Sequence, residues 1–350
     1  MPQTDKSFLV LFFKKEHPCL PGDPALLPTL TPSEDSLEPV ETWPTERLRA
    51  LQFQRLRWSL RHAWENVPHT RHALEDAKLH PDDLETLTDL ARFPFTTRRD
   101  LRAHPPLGML AVPPSRLARI HATAGTTGRP LLVGHTAKDL ETWAALMARS
   151  LRAAGVQPGR PLLIALPDGP APWAAGAIAG AERHGSPALP ATGLDPAELV
   201  PLLEALQPQA AIATPAFLQA LLAAWRDSGR APQDCPLQVA IQAGAPPAPL
   251  DPAFALHSLG HYGMAELLGP GLAQSCVEAP DGLTLWEDHV LPEIITPAGH
   301  PVPEGEPGEL VLTTLTREAM PLIRYRTGDQ ARLLPGTTRT LRRLVGLERI

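Results

Sequence analysis

Cysteine is nearly absent: Cys19, Cys235 and Cys276 are the only three in 350 residues, far apart and odd in number. This excludes a disulfide framework and fits a reducing compartment, so the expected location is cytoplasmic. Blocks of basic residues are missing too. With a net charge of −6, the chain offers no positive face to nucleic acid or to an anionic membrane, and neither is expected as a partner. Long apolar runs are also lacking. Phe8-Leu-Val-Leu-Phe-Phe13 is six apolar residues before Lys14-Lys15, too few for a signal core or a membrane span; it reads as an edge strand or a sticky tail. No Walker loop is present, because no Gly-Lys-Ser/Thr follows the chain's glycine-rich segment.

Proline is abundant, at 42 residues, but it falls between periodic segments and so punctuates the chain. Hydrophobic content of 43% and charge of 20% are ordinary for a soluble globular protein. The length allows two or more domains or subdomains. Residues 1–44 read as an irregular arm, because Pro18 to Pro44 is rich in Pro, Ser, Asp and Glu without periodicity. Residues 45–118 read as a helical cap. Leu48, Leu51, Phe53, Leu56, Trp58, Leu60 and Trp64 recur at helical spacing, and further short helices are expected at Arg71–Ala77 and from Leu84 towards Phe93-Pro-Phe-Thr-Thr. Residues 119–281 read as an α/β core. Strands at 161–166, 188–191, 210–214 and 237–243 alternate with helices at 136–153, 171–183, 195–206 and 215–227. That alternation indicates βαβ units in a largely parallel sheet, whose ligands bind at the carboxyl ends of the strands. Gly244-Ala245 follows a strand at such an end. Residues 282–350 read as a small β-rich part.

Three stretches carry chemistry. In Thr123-Ala-Gly-Thr-Thr-Gly-Arg-Pro130, two glycines and three threonines in eight residues can turn tightly and present N–H groups and hydroxyls to an anion. Arg129 adds a fork suited to phosphate. The same residues would also make a hairpin turn whose threonines bond their own backbone. In His261-Tyr-Gly-Met-Ala-Glu266 a flat ring lies beside exposed backbone, and the glutamate can hold a hard cation such as Mg2+. The alternative there is a core tyrosine followed by a helix with an acidic first turn. In Leu322-Ile-Arg-Tyr-Arg-Thr-Gly-Asp329 an aspartate expected at a strand end can accept two ribose hydroxyls, or can simply be a solvated turn residue.

In this order the three stretches resemble the phosphate loop, the Tyr-Gly-x-Ser/Thr-Glu motif and the Tyr-Arg-Thr-Gly-Asp motif of the adenylate-forming acyl ligases. Within that superfamily the resemblance is to phenylacetate–coenzyme A ligases. It extends over Leu51–Asp100, Ile120–Ala154, Met264–Gln274, Asp281–His289 and Gly308–Gly336. The resemblance implies the large α/β N-terminal domain of those enzymes, with βαβ subdomains, a helical cap and a small β-rich part. It implies ATP, Mg2+ and coenzyme A as co-reactants, and an aryl acid activated first to an acyl-adenylate and then to a thioester. By position, Thr123, Gly125, Thr126, Thr127 and Gly128 would hold the phosphates, with Arg129 in the place of the family's lysine. Gly244, Ala245, Tyr262 and Gly263 would line the adenine site, Glu266 would bind Mg2+, and Asp329 would bind the ribose. Glu266, Arg129 and Thr126 are the expected catalytic residues.

The chain also departs from the family. Thr123-Ala124 stands for Ser-Ser, Ala265 for a hydroxyl residue, and Pro246-Pro247 follows Gly244-Ala245 where Glu is usual. Leu166-Pro-Asp-Gly-Pro-Ala-Pro-Trp173 replaces the aromatic, glycine-rich stretch of the acyl pocket. No Cys-x-Cys pair precedes the hinge. The sequence ends at Leu347-Glu-Arg-Ile350, where the family continues into a mobile domain bearing a lysine. The expectation is therefore an enzyme impaired or dependent on a separate chain carrying that domain. The alternative is a degenerate module that binds nucleotide or aryl acid without turnover.

Overall fold

The computed structural model describes residues 30–103, 107–123, 131–167 and 173–349. Phe8–Phe13 and most of the arm lie outside them. The described part of the arm is anchored to the body. Leu30 is buried against Gly155, and the buried carboxylate of Glu41 pairs with Arg339.

The cap is built from α1 (Thr45–Asn66), α2 (Pro68–Asp76), a 3-10 stretch at Leu87–Arg92 and the short α3 (Arg98–Ala103). Leu56, Leu60 and Ala63 of α1 form one stripe at spacings of three and four, and they bury against Leu74, Leu90 and Phe93 of the cap, Leu291 of the sheet, and Leu315 and Ile323 of a connection between two of its strands. Two buried polar groups fix the seat: Gln52 Nε2 donates to the Glu287 carbonyl at 2.8 Å and Ser59 Oγ to the Thr314 carbonyl at 2.6 Å.

Next comes an antiparallel hairpin, β1 (Leu117–Thr123) and β2 (Leu131–Thr136). Thr136 then caps α4 (Ala137–Ala153) in a capping box: Asp139 N donates to Thr136 Oγ1 at 3.1 Å and Thr136 N to Asp139 Oδ2 at 3.0 Å. The chain continues through β3 (Leu162–Ala165), α5 (Trp173–His184), β4 (Ala188–Pro190), α6 (Pro196–Leu206), β5 (Ala210–Ala213), α7 (Pro215–Asp227) and β6 (Val239–Ala243). It closes with seven strands: β7 (His257–Met264), β8 (Gly269–Cys276), β9 (Ala279–Leu285), β10 (Val290–Ile295), β11 (Gly308–Thr314), β12 (Tyr325–Leu334) and β13 (Arg343–Arg349).

Among the described residues, β3 to β13 form one eleven-stranded sheet in the order β10-β11-β12-β13-β9-β8-β7-β6-β5-β3-β4. From β4 to β7 neighbouring strands are parallel; from β7 to β10 they are antiparallel. The parallel half has no polar face. Leu162 and Ile164 pack towards α4 and α5, whereas Leu163 and Ala165 pack towards α6 and α7. Such strands read as continuous apolar runs. The parallel sheet expected from 161–243 is therefore only one half of a longer sheet. The antiparallel half begins at Gly269, and β9 (Ala279–Leu285) runs through position 282, where its pairing with β8 shifts register between Gln274 and Cys276.

Candidate active site

The cavity lies where the sheet changes from parallel to antiparallel. Its volume is about 610 Å³, and Gly244, Ala245, Tyr262, Gly263, Glu266 and Asp329 all line it. Six residues expected from three separate stretches thus share one cavity. Thr123 ends β1, and Gly125, Thr126, Thr127, Gly128 and Arg129 lie outside the described residues.

Gly244-Ala245 leaves the carboxyl end of β6, with Gly244 at φ +85°. A Cβ there would stand 3.1 Å from the Trp173 ring, so glycine keeps the backbone open to the cavity. Tyr262 and Gly263 lie on β7, where the register against β8 shifts. At Gly263 a Cβ would come within 2.1 Å of the Gly269 carbonyl oxygen, and only glycine lets the two backbones meet. Glu266 follows in a four-residue turn between β7 and β8 in which Leu267 N and Leu268 N both donate to the Met264 carbonyl. The alternative of an acidic helix start is thus replaced by a hairpin turn.

Asp329 was expected at a strand end and sits inside β12 instead. Glu309 pairs with Gln330 and Val311 with Arg326, so two steps on β11 face four on β12. Thr327-Gly328-Asp329 thus stands opposite Leu310 alone, two residues in excess, and bulges out, with Gly328 at φ +75°; the ladder resumes beyond it. Such bulges redirect a side chain without ending the strand. Thr327 Oγ1 locks the bulge by accepting from Asp329 N at 3.0 Å and donating to the Leu310 carbonyl at 2.7 Å. Tyr262 Oη donates to Asp329 Oδ2 at 2.7 Å. Burial and then the Asp329 carboxylate push the phenol well above its ordinary value, so the hydroxyl stays a donor.

Three features were not read from the sequence. Arg98, at the start of α3, brings its Nη2 to 3.3 Å from Glu266 Oε1. Arg317 is buried and donates to the carbonyls of Glu266, Leu267 and Gly134, tying the Glu266 turn to β2. Burial lowers its pKa to about 10. Beneath the hairpin, His121 and His135 are buried with ring centroids 4.5 Å apart. Thr97-Arg-Arg-Asp100 carries a capping signature that could have revealed the start of α3. Arg317 and the histidines leave no local signal, because their partners are distant in sequence.

Among the described residues, no group of three or more His, Cys, Asp or Glu is arranged to hold a metal. A cation held here would have Glu266 as protein ligand and take its remaining ligands from phosphate and water, the usual arrangement for Mg2+ at a nucleotide.

Residues 59–315 match the family described as AMP-binding enzyme. The chain is 46% identical over 325 residues to phenylacetate-coenzyme A ligase of Aromatoleum evansii, covering 91% of this chain and 74% of that protein. This chain belongs to the phenylacetate–coenzyme A ligase family of AMP-binding enzymes. Its likeness to the Escherichia coli (strain K12) phenylacetate-coenzyme A ligase is 44% over 316 residues, covering 88% of this chain and 72% of that protein. In structure it is similar to 2-hydroxyisobutyryl-CoA ligase in the postadenylation state in complex with 2-HIB-AMP, with a TM-score of 0.84 and 29% identity, covering 94% of this chain and 73% of that one. No helix among the described residues is long and apolar enough to cross a membrane.

Proposed function

We propose that the chain activates a carboxylic acid of the phenylacetate type with ATP and transfers the acyl group to coenzyme A. The acid's carboxylate attacks the α-phosphorus, giving acyl-adenylate and pyrophosphate; the thiolate of coenzyme A then attacks the acyl carbon and releases AMP. The observation that carries this reading is the convergence of Tyr262, Glu266 and Asp329 on one cavity in a chain of this family.

Each group has a task suited to its chemistry. Tyr262 and Gly263, with Gly244 and Ala245 opposite, offer a flat, mostly apolar slot for the base. Asp329, held in one orientation by Tyr262 Oη, accepts the ribose hydroxyls. Thr123, Gly125, Thr126, Thr127, Gly128 and Arg129 grip the phosphates, an assignment resting on their sequence. Negative charge builds on the phosphoryl oxygens during attack, so preorganised donors and a cation there lower the barrier. A magnesium ion held by Glu266 would supply charge neutralisation at those oxygens. Pro167, Trp173 and Met264 also line the cavity and bound the space left for the acyl group.

The test is ATP–pyrophosphate exchange on the 350-residue chain, with phenylacetate and a panel of related aryl acids. Exchange that requires one acid and disappears in Glu266→Ala is the expected result and names the substrate. No exchange with MgATP bound, either alone or with the C-terminal domain of a relative added as a second chain, would refute turnover and leave a binding module.

A further inference from the structure

Among the described residues, the cavity wall carries three carboxylates, Glu266, Asp329 and Glu348, and one arginine or lysine, Arg98. Arg98 does not face the cavity at random. Thr96 N donates to the Arg324 carbonyl at 3.1 Å and Arg326 N to the Thr96 carbonyl at 2.9 Å, joining the segment before α3 to the start of the strand that bears Asp329. Thr97 N then donates to Asp100 Oδ2 at 2.8 Å, which fixes the first turn of α3. The result is a guanidinium 3.3 Å from Glu266 Oε1, with its Nε buried and without a hydrogen-bond partner. The glutamate side chain is 5% exposed and the arginine 34%.

A hard cation and a guanidinium seek the same carboxylate oxygens. If metal took Glu266 alone, Arg98 would lose its counter-ion and face a second positive charge. Metal arriving with a nucleotide also brings phosphate oxygens, to which the guanidinium can turn. We propose that Arg98 is the resident counter-ion of the cation site. It holds Glu266 while no nucleotide is bound, so free metal binds poorly, and it passes to the phosphates when nucleotide and metal enter together. This rests on reading Glu266 as the metal carboxylate.

The test is manganese binding followed by electron paramagnetic resonance on the 350-residue chain, as free Mn2+ and as MnATP. Arg98→Ala is expected to bind free Mn2+ about fivefold more tightly, the order of an ion pair with one partner near the surface. It should also bind MnATP more weakly than the parent. Adding Glu266→Ala should abolish the gain. Arg98→Gln keeps the stem to Cδ and a polar end without the charge, and should repeat the pattern if alanine loosens α3. Unchanged free-Mn2+ affinity in both variants, with the parent binding MnATP, overturns the counter-ion role and leaves the nucleotide site standing. A parent that fails to bind MnATP overturns both.

Discussion

Acid should weaken this fold through a histidine to which no ligand contact is assigned. His135 is fully buried on β2, and neither of its ring nitrogens has a hydrogen-bond partner. Burial first, then the neighbouring Arg317, hold its pKa down at about 2; the same two causes with Arg119 hold His121 at about 4. Unfolding returns each ring to the ordinary value of about 6.5. Between about pH 6.5 and the folded value the unfolded chain therefore binds more protons, so stability is full above that range and falls as pH falls. At pH 5 both rings are still neutral in the fold. His135 alone should then cost about 2 kcal/mol relative to pH 8, whatever its folded value below 5. Urea unfolding at pH 8 and pH 5 tests this by comparing wild type with His135→Leu. Acid sensitivity from other groups cancels in the difference, and the variant should lose about 2 kcal/mol less than the parent over that interval. Equal losses in the two proteins would refute a buried neutral His135.

Other perturbations follow from the site geometry. Gly263→Ala places a methyl 2.1 Å from the Gly269 carbonyl oxygen; the forced backbone shift should cost about 1–3 kcal/mol in urea unfolding and reduce exchange activity with it. Arg317→Met leaves three buried carbonyls without this donor and should lower stability by about 1–3 kcal/mol for each one left unsatisfied, with Arg317→Lys recovering part of the loss. Asp329→Ala should remove the preference for ATP over 2′-deoxy-ATP and 3′-deoxy-ATP, measured by competition binding, because the carboxylate held by Tyr262 reads the ribose hydroxyls.

Helix starts were the most legible features. Thr136 with Asp139, and Asp195 with Glu198, form the boxes their spacing announces, and Pro215 opens α7 behind the Thr214 cap. These signals are local, so a reader of the sequence meets them whole. β8 escaped notice because Gly269–Cys276 is buried throughout, without the alternation that marks a half-buried strand. The position of Asp329 escaped for a different reason. Thr-Gly-Asp reads locally as a turn, and only the resumption of β11 pairing beyond it makes it a bulge. The convergence of Tyr262, Glu266 and Asp329 could be inferred only from the resemblance, since 67 residues separate the Tyr262 hydroxyl from the carboxylate it binds. Arg98 was covered by that resemblance without a role. Its meaning depends on Glu266, which lies across the cap–sheet contact.

The most direct test of the nucleotide site is calorimetric titration of MgATP into the 350-residue chain, its Glu266→Ala variant and its Asp329→Ala variant. Saturable binding by the parent, weakened about tenfold or more in each variant, is the expected result. Binding of equal strength in all three proteins would contradict it and move the nucleotide away from this cavity.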